Sequence, residues 1–86
     1  MTDKKELLIF KSKMIDNILL FMFIEKVRPY NKEFYLKLKD AFIEEIKKDN
    51  SSMILINDLN LNEEDLKEFL NWFNYFDVKN TFNFEL

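Results

Sequence analysis

The strongest constraint on how this chain can fold is a run of seven apolar residues, ILLFMFI, from Ile18 to Ile24. In a helix, successive residues are about 100° apart, so the run points apolar side chains in every direction. Such a segment is normally buried on all sides, within its own domain or by another chain. The run therefore predicts a central core helix. The alternative is the seam of a homo-oligomer, formed by Leu20, Phe21, Phe23 and Ile24.

This run is part of a longer helical pattern that extends from Asp3 to about Val27. Thr2 or Asp3 can serve as its N-cap, and Pro29 marks its end. The apolar positions recur at steps of three and four residues: Leu7, Phe10, Met14, Ile18, Phe21 and Met22. We therefore expect one long first helix.

A second helix is predicted to begin after Asn31, a favourable N-cap residue, and to end at the polar loop that starts with Asp49. Its apolar stripe comprises Phe34 or Tyr35, Leu38, Phe42 and Ile46. Only three residues separate it from the first helix, so the two should be antiparallel neighbours.

The third predicted helix has Asn62 as its N-cap and ends near Asp77. Acidic residues fill its first turn, where the helix dipole favours negative charge. Its core face consists of Leu66, Phe69, Leu70, Phe73 and Phe76.

Two short segments have the character of strands. Residues 53–56 form an apolar run between turn residues, which is consistent with a buried strand or with an extended linker, and residues 81–86 alternate apolar and polar side chains. A pair that flanks one helix should be parallel. The sequence thus predicts a mainly α, compact three-helix domain with a small two-stranded sheet near 53–56 and 81–86, an α+β arrangement that spans residues 1–86 as a single domain.

The composition excludes most catalytic equipment. The chain contains no His, Cys or Gly, which removes the usual nucleophile systems, zinc sites and glycine-rich phosphate loops. Asp58, Asn60 and Asn62 alternate as calcium-loop ligands do. However, Glu63 stands where that loop needs Gly, and Phe69 where it needs a bidentate Glu. We therefore expect no enzyme activity, no metal and no cofactor.

Charge is distributed unevenly along the chain. Residues 51–86 contain two Lys against seven Asp and Glu, a local net charge of −5, whereas the whole chain has −3. Nucleic acid is bound mainly through clustered Lys and Arg, so direct binding of nucleic acid is not expected. A larger basic protein suits this half of the chain as a partner.

One face of the third helix combines acidic and aromatic residues. Asp65, Glu68, Trp72 and Tyr75 follow steps of three, four and three, with Glu64 beside them. Trp and Tyr are favoured anchors at protein interfaces. We predict that these five residues bind a partner. The alternative is that Trp72 and Tyr75 only widen the core against the first helix.

The resulting hypothesis is a small, non-enzymatic, cytoplasmic protein that inhibits a larger protein by binding its basic surface. In size and acidity the chain is similar to small inhibitors of phages and mobile elements, including anti-CRISPR proteins, although no motif is shared. The absence of Gly, with abundant Lys, Asn, Ile and Phe, indicates a low-GC genome.

The alternative functions are a structural or regulatory homo-oligomer and a toxin-neutralising or immunity protein, both assembled through residues 18–24. No membrane segment is expected, since seven apolar residues fall short of the about 20 that span a bilayer.

Overall fold

A computed structural model describes residues 4–77, apart from the side chains at positions 4 and 6. The elements follow one another as α1 (Lys4–Lys11), β1 (Met14–Asp16), α2 (Asn17–Val27), α3 (Lys32–Lys48), β2 (Met53–Leu55), a 3-10 helix (Ile56–Leu59) and α4 (Glu63–Tyr75). The prediction of a mainly α domain with a small two-stranded sheet is confirmed. No helix in the described part of the chain is both long enough and apolar enough to cross a membrane.

The long first helix of the prediction is divided in two by a strand. After α1, the Ser12 hydroxyl donates to the Ile9 carbonyl at 2.8 Å and helps to close the last turn. Asp16 then starts a new helix, because its extended backbone lets the carboxylate accept a hydrogen bond from the Ile18 amide at 2.8 Å. The prediction of one continuous helix from 3 to 27 is therefore wrong, and four α-helices occur among residues 4–77 instead of three.

The strand between α1 and α2 pairs with β2 in antiparallel register, with Ile15 opposite Ile54. Both side chains point into the core, at 0% and 3% exposure. The prediction paired residues 53–56 with 81–86 in parallel, but within the described residues the partner of β2 is β1. The tail 81–86 lies outside the described residues.

The two later helices begin where they were predicted to begin. The Asn31 side chain accepts from the Phe34 amide at 3.1 Å, and the Asn62 side chain accepts from the Asp65 amide at 2.8 Å. Between β2 and α4 the chain turns at Asn60, whose φ of 55° is left-handed. Asn tolerates this conformation better than most residues, which fits a chain without Gly.

Helices α2 and α3 are antiparallel neighbours. Phe21, near the start of α2, contacts Phe42, near the end of α3, with 6.3 Å between ring centroids. At the other end of the pair, the Tyr35 hydroxyl donates to a Glu25 carboxylate oxygen at 2.9 Å. The turn between the helices contains Tyr30, which is 57% exposed.

The core centres on four phenylalanines from three helices: Phe10 of α1, Phe23 of α2, and Phe69 and Phe73 of α4. Each is at most 2% exposed. Neighbouring rings in this group are 4.9 to 5.7 Å apart between centroids. This packing turns one face of α4 inward and leaves its opposite flank at the surface, beside the N-terminus of α3.

Candidate protein-binding face

The predicted stripe of α4 lies along the surface that this helix shares with α3 and the turn before it. The acidic end of the stripe is already engaged within the chain. The Lys37 ammonium lies 3.2 Å from a carboxylate oxygen of Asp65, whose side chain is only 16% exposed. Glu68 is half-buried, whereas Glu64 is exposed. Asp65 therefore contributes less free negative charge to this surface than the sequence alone suggested.

One oxygen of Glu68 holds two other residues in place. Its Oε2 accepts a hydrogen bond from the Asn31 side-chain amide at 2.7 Å and another from the Trp72 indole N–H at 3.1 Å. Asn31 is also the N-cap of α3, so this carboxylate links the start of α3 to the middle of α4. The indole is thereby fixed in orientation before any partner binds.

A polar groove runs between the start of α3 and α4 beside this link. We call it the acidic groove; its lining residues are Asn31, Glu33, Phe34, Lys37, Asp65 and Glu68. Three carboxylates face one ammonium there, which gives a formal charge of −2. Both hydrogen bonds that Glu68 accepts within the described part of the chain end on Oε2, so Oε1 has no hydrogen-bond partner among those residues.

Next to the acidic groove lies an aromatic patch formed by Tyr30, Trp72 and Tyr75. The centroids of their rings are 5.4 to 5.7 Å apart in all three pairs. Phe76 stacks behind Trp72 at 5.6 Å with an interplanar angle of 21°, so one face of the indole is covered. Tyr30 and Tyr75 are 57% and 64% exposed, while Trp72 is half-buried against the core. The Trp72 ring thus packs on the core and also reaches the surface, and its role in binding a partner stays a prediction.

The patch forms the floor and sides of a shallow apolar groove, which Asn71 completes. Tyr30 was not among the predicted site residues, because it lies in the short connection between two helices. The one sequence signal for it is a large aromatic residue in a connection that otherwise carries polar residues and Pro29. Its proximity to Trp72 follows from the way α4 packs on the α2–α3 pair.

Basic side chains border the far side of the patch. The Lys26 ammonium lies 5.8 Å from the centre of the Phe76 ring. Further along, Arg28 and Lys39 lie 5.8 Å and 5.6 Å from the Tyr35 ring. The aromatic patch is therefore flanked by the Glu68 carboxylate, which bonds Trp72, and by the Lys26 ammonium next to Phe76.

The predicted oligomer seam is corrected by the structure. Leu20, Phe23 and Ile24 are at most 1% exposed and belong to the core, so they cannot form a surface. Phe21 is 46% exposed, and the other exposed apolar residues of the run are Ile18 at 70% and Met22 at 42%. The run is not buried on all sides, because α2 packs on its neighbours through one face only.

The three residues that alternate as calcium-loop ligands do have structural roles in this fold. Asp58 belongs to the 3-10 helix, Asn60 makes the left-handed turn after it, and the Asn62 side-chain oxygen caps α4. Within the described part of the chain, no group of three or more acidic side chains is arranged to hold a metal ion.

Comparison with known proteins adds no assignment. No protein-family model matches the chain, and no curated protein or solved structure matches it significantly.

Proposed function

We propose that this protein is a non-enzymatic binding module that recognises a basic surface region of a larger protein with the acidic groove and the aromatic patch. The observation that carries the proposal is the fixed indole of Trp72, held by Glu68 between two exposed tyrosines. An aromatic side chain that is already held by a hydrogen bond loses little entropy on binding, and Trp and Tyr dominate the energetics of many interfaces.

Charge supports a basic partner. The acidic groove has a formal charge of −2, and residues 51–86 carry two Lys against seven acidic residues, a net charge of −5. Complementary charge accelerates association and discriminates against acidic competitors. The aromatic patch would then slow dissociation, since affinity differences between related complexes lie mostly in the dissociation rate.

Occupation of a basic surface would make the module an inhibitor wherever that surface otherwise binds nucleic acid. The protein would compete for the lysines and arginines that contact phosphates. This is the mode of action that we propose for the protein. The proposed location is the cytoplasm of a bacterium with a low-GC genome, such as one infected by a phage.

The proposal is tested by quantitative capture of proteins from a lysate of a low-GC bacterium with the tagged chain. A Tyr30→Ser/Tyr75→Ser variant removes the exposed rings. A Leu8→Ser/Ile9→Ser variant of α1 is the matched control, because Leu8 and Ile9 are 58% and 49% exposed, close to the two tyrosines. We expect the tyrosine variant to reduce capture of basic proteins about tenfold or more, and the control to leave it unchanged.

Salt provides the second criterion. Raising the ionic strength from about 0.05 M to about 0.3 M should weaken the specific capture, because screening shortens the reach of surface charge. If both variants capture the same proteins as the wild type, or if the captured proteins are acidic, the proposed face is not the binding surface.

A second candidate function, the homo-oligomer, is favoured by one specific observation. Phe21 and Met22 lie three and four residues after Ile18 on α2, and the three residues are 42% to 70% exposed. Side chains at such positions share one side of a helix. A second copy of the chain could cover this apolar face, and a seam would then involve these three residues instead of the four predicted from the sequence.

A further inference from the structure

We propose that the segment recognised by this face is a proline-rich stretch in polyproline II conformation that carries an arginine, with its prolines on the aromatic patch and its guanidinium in the acidic groove. The inference rests on the proposed function and deepens it by naming the chemistry of the ligand.

The shape of the aromatic patch favours such a ligand. Tyr75 stands nearly perpendicular to Trp72, at 87°, and at 71° to Tyr30. Inclined rings form ridges with a groove between them, whereas a sugar or a nucleobase stacks best on one flat, open face. Phe76 covers one face of the Trp72 indole, so a flat ligand would have to stack on the opposite face. The Tyr30 ring lies next to the indole with 44° between the two ring planes, which leaves the indole without flat, open surroundings for stacking. Proline-rich helices dock into aromatic grooves of this kind.

The hydrogen-bonding groups of the groove also match a chain of prolines. The Trp72 N–H is committed to Glu68, which leaves the hydroxyls of Tyr30 and Tyr75 and the side-chain amide of Asn71. These groups can donate to carbonyl oxygens. A proline has a carbonyl and no N–H, so it brings no donor that would need a partner in the groove. A polyproline II segment is also extended before binding, which lowers the entropic cost.

The acidic groove fixes where the arginine must be. Trp72 and Glu68 are four residues apart on α4, which corresponds to about 6 Å along the helix axis. Two residues of a polyproline II helix cover about the same distance. An arginine two positions from the first proline can therefore reach Oε1 of Glu68 while the prolines contact the patch. Its planar fork suits carboxylates better than the ammonium of lysine does.

The test uses the full chain and three fluorescein-labelled peptides of about ten residues, measured by fluorescence anisotropy. The first peptide has an arginine two positions before a run of prolines, the second has alanines in place of the prolines, and the third has glutamine in place of the arginine. Trp72 is the only Trp of the chain, so unlabelled peptide can also be followed by its emission.

We expect the first peptide to bind and to change the Trp72 emission. The alanine peptide should bind about tenfold more weakly, since it loses the contacts with the rings. The glutamine peptide should bind about fivefold more weakly and lose most of its salt dependence. Tyr30→Ala/Tyr75→Ala should abolish the preference for prolines, and circular dichroism would establish that this surface variant is folded.

Three outcomes would overturn the inference. Equal binding of the proline and alanine peptides shows recognition of a basic segment without proline, in which case the proposed function stands and the inference fails. No binding of any peptide, together with capture of basic proteins through the tyrosines, means that the partner presents a folded surface. A change in Trp72 emission with cellohexaose and none with the peptides assigns the patch to sugar.

Discussion

At the scale of single residues, Glu68 connects the aromatic patch to the start of α3. Its Oε2 is the shared acceptor for Asn31 and Trp72, so one carboxylate positions both the helix cap and the indole. Hydrogen bonds to a charged acceptor stabilise more than neutral ones, although partial exposure weakens them here. The loss of this carboxylate should therefore be visible in stability and in the environment of Trp72.

We predict that Glu68→Ala lowers the free energy of unfolding by about 1 kcal/mol and makes Trp72 more accessible to acrylamide. Urea unfolding and quenching of the single Trp measure the two effects. Glu44→Ala is the control, because Glu44 is an exposed carboxylate in the interior of α3, away from the first turn of either helix. An equal effect of both substitutions would show that the loss of any helix carboxylate matters and the bond to the indole does not.

The residues of this face were partly predictable from the sequence. The spacing of Trp72 and Tyr75 placed them on one side of a helix, which the 5.4 Å between their rings confirms. Two contacts of this face were not predictable: the ion pair of Asp65 with Lys37 and the ring contact of Tyr30 with Trp72. Both depend on how α4 packs against a part of the chain that is about 30 to 40 residues away in sequence. Helical periodicity contains no information about that packing.

At the scale of elements, the division of the first helix is the largest departure from the prediction. The apolar positions 14 and 18 continue the helical pattern of residues 7 and 10, yet Met14 and Ile18 are 52% and 70% exposed. Ile15, outside that pattern, is fully buried. Pairing of Ile15 with Ile54 across the sheet outweighs the local preference for helix, and Asp16 makes the break favourable by capping α2.

This register is tested by a pair of neighbouring substitutions. Ile15→Ala should destabilise the protein by about 2 to 4 kcal/mol, because it empties a fully enclosed site. Met14→Ala should cost well under about 1 kcal/mol, since Met14 is 52% exposed. Chemical denaturation of both variants decides between the observed strand and a continuous helix, for which the order of the two effects would be reversed.

The start of α2 offers an independent test. Asp16→Ala should lower stability by about 1 kcal/mol, the usual cost of removing an N-cap acceptor. Asp16→Asn keeps an acceptor of similar rank and should remain within about 0.5 kcal/mol of the wild type. Thermal or urea unfolding followed at 222 nm measures both. If the two variants lose the same stability, the negative charge and not the cap is what Asp16 contributes.

At the scale of the whole molecule, the two candidate binding surfaces consist of different residues. The aromatic patch involves α4 and the connection before α3, whereas the apolar face of α2 is formed by Ile18, Phe21 and Met22. The sequence indicated both surfaces, but it assigned the apolar surface of α2 mostly to residues that are buried in the core. A helix that packs through one side hides only about half of an all-apolar run. Leu20, Phe23 and Ile24 lie on the hidden side of α2.

This separation leads to a reciprocal experiment. We expect weak self-association of the chain at high protein concentration, because exposed apolar side chains on one side of a helix gain from being covered. Ile18→Ser/Met22→Ser should abolish it in sedimentation or light-scattering measurements and leave binding of the arginine and proline peptide unchanged. Tyr30→Ala/Tyr75→Ala should weaken the peptide and leave self-association as it was. Because Ile18 and Met22 are exposed, their replacement by Ser should change stability by about 0.5 kcal/mol each, about 1 kcal/mol in total, and urea unfolding of the variant separates a change in association from unfolding. If either double substitution changes both properties, the two surfaces act as one, and the peptide would then compete with the second copy of the chain for the same face.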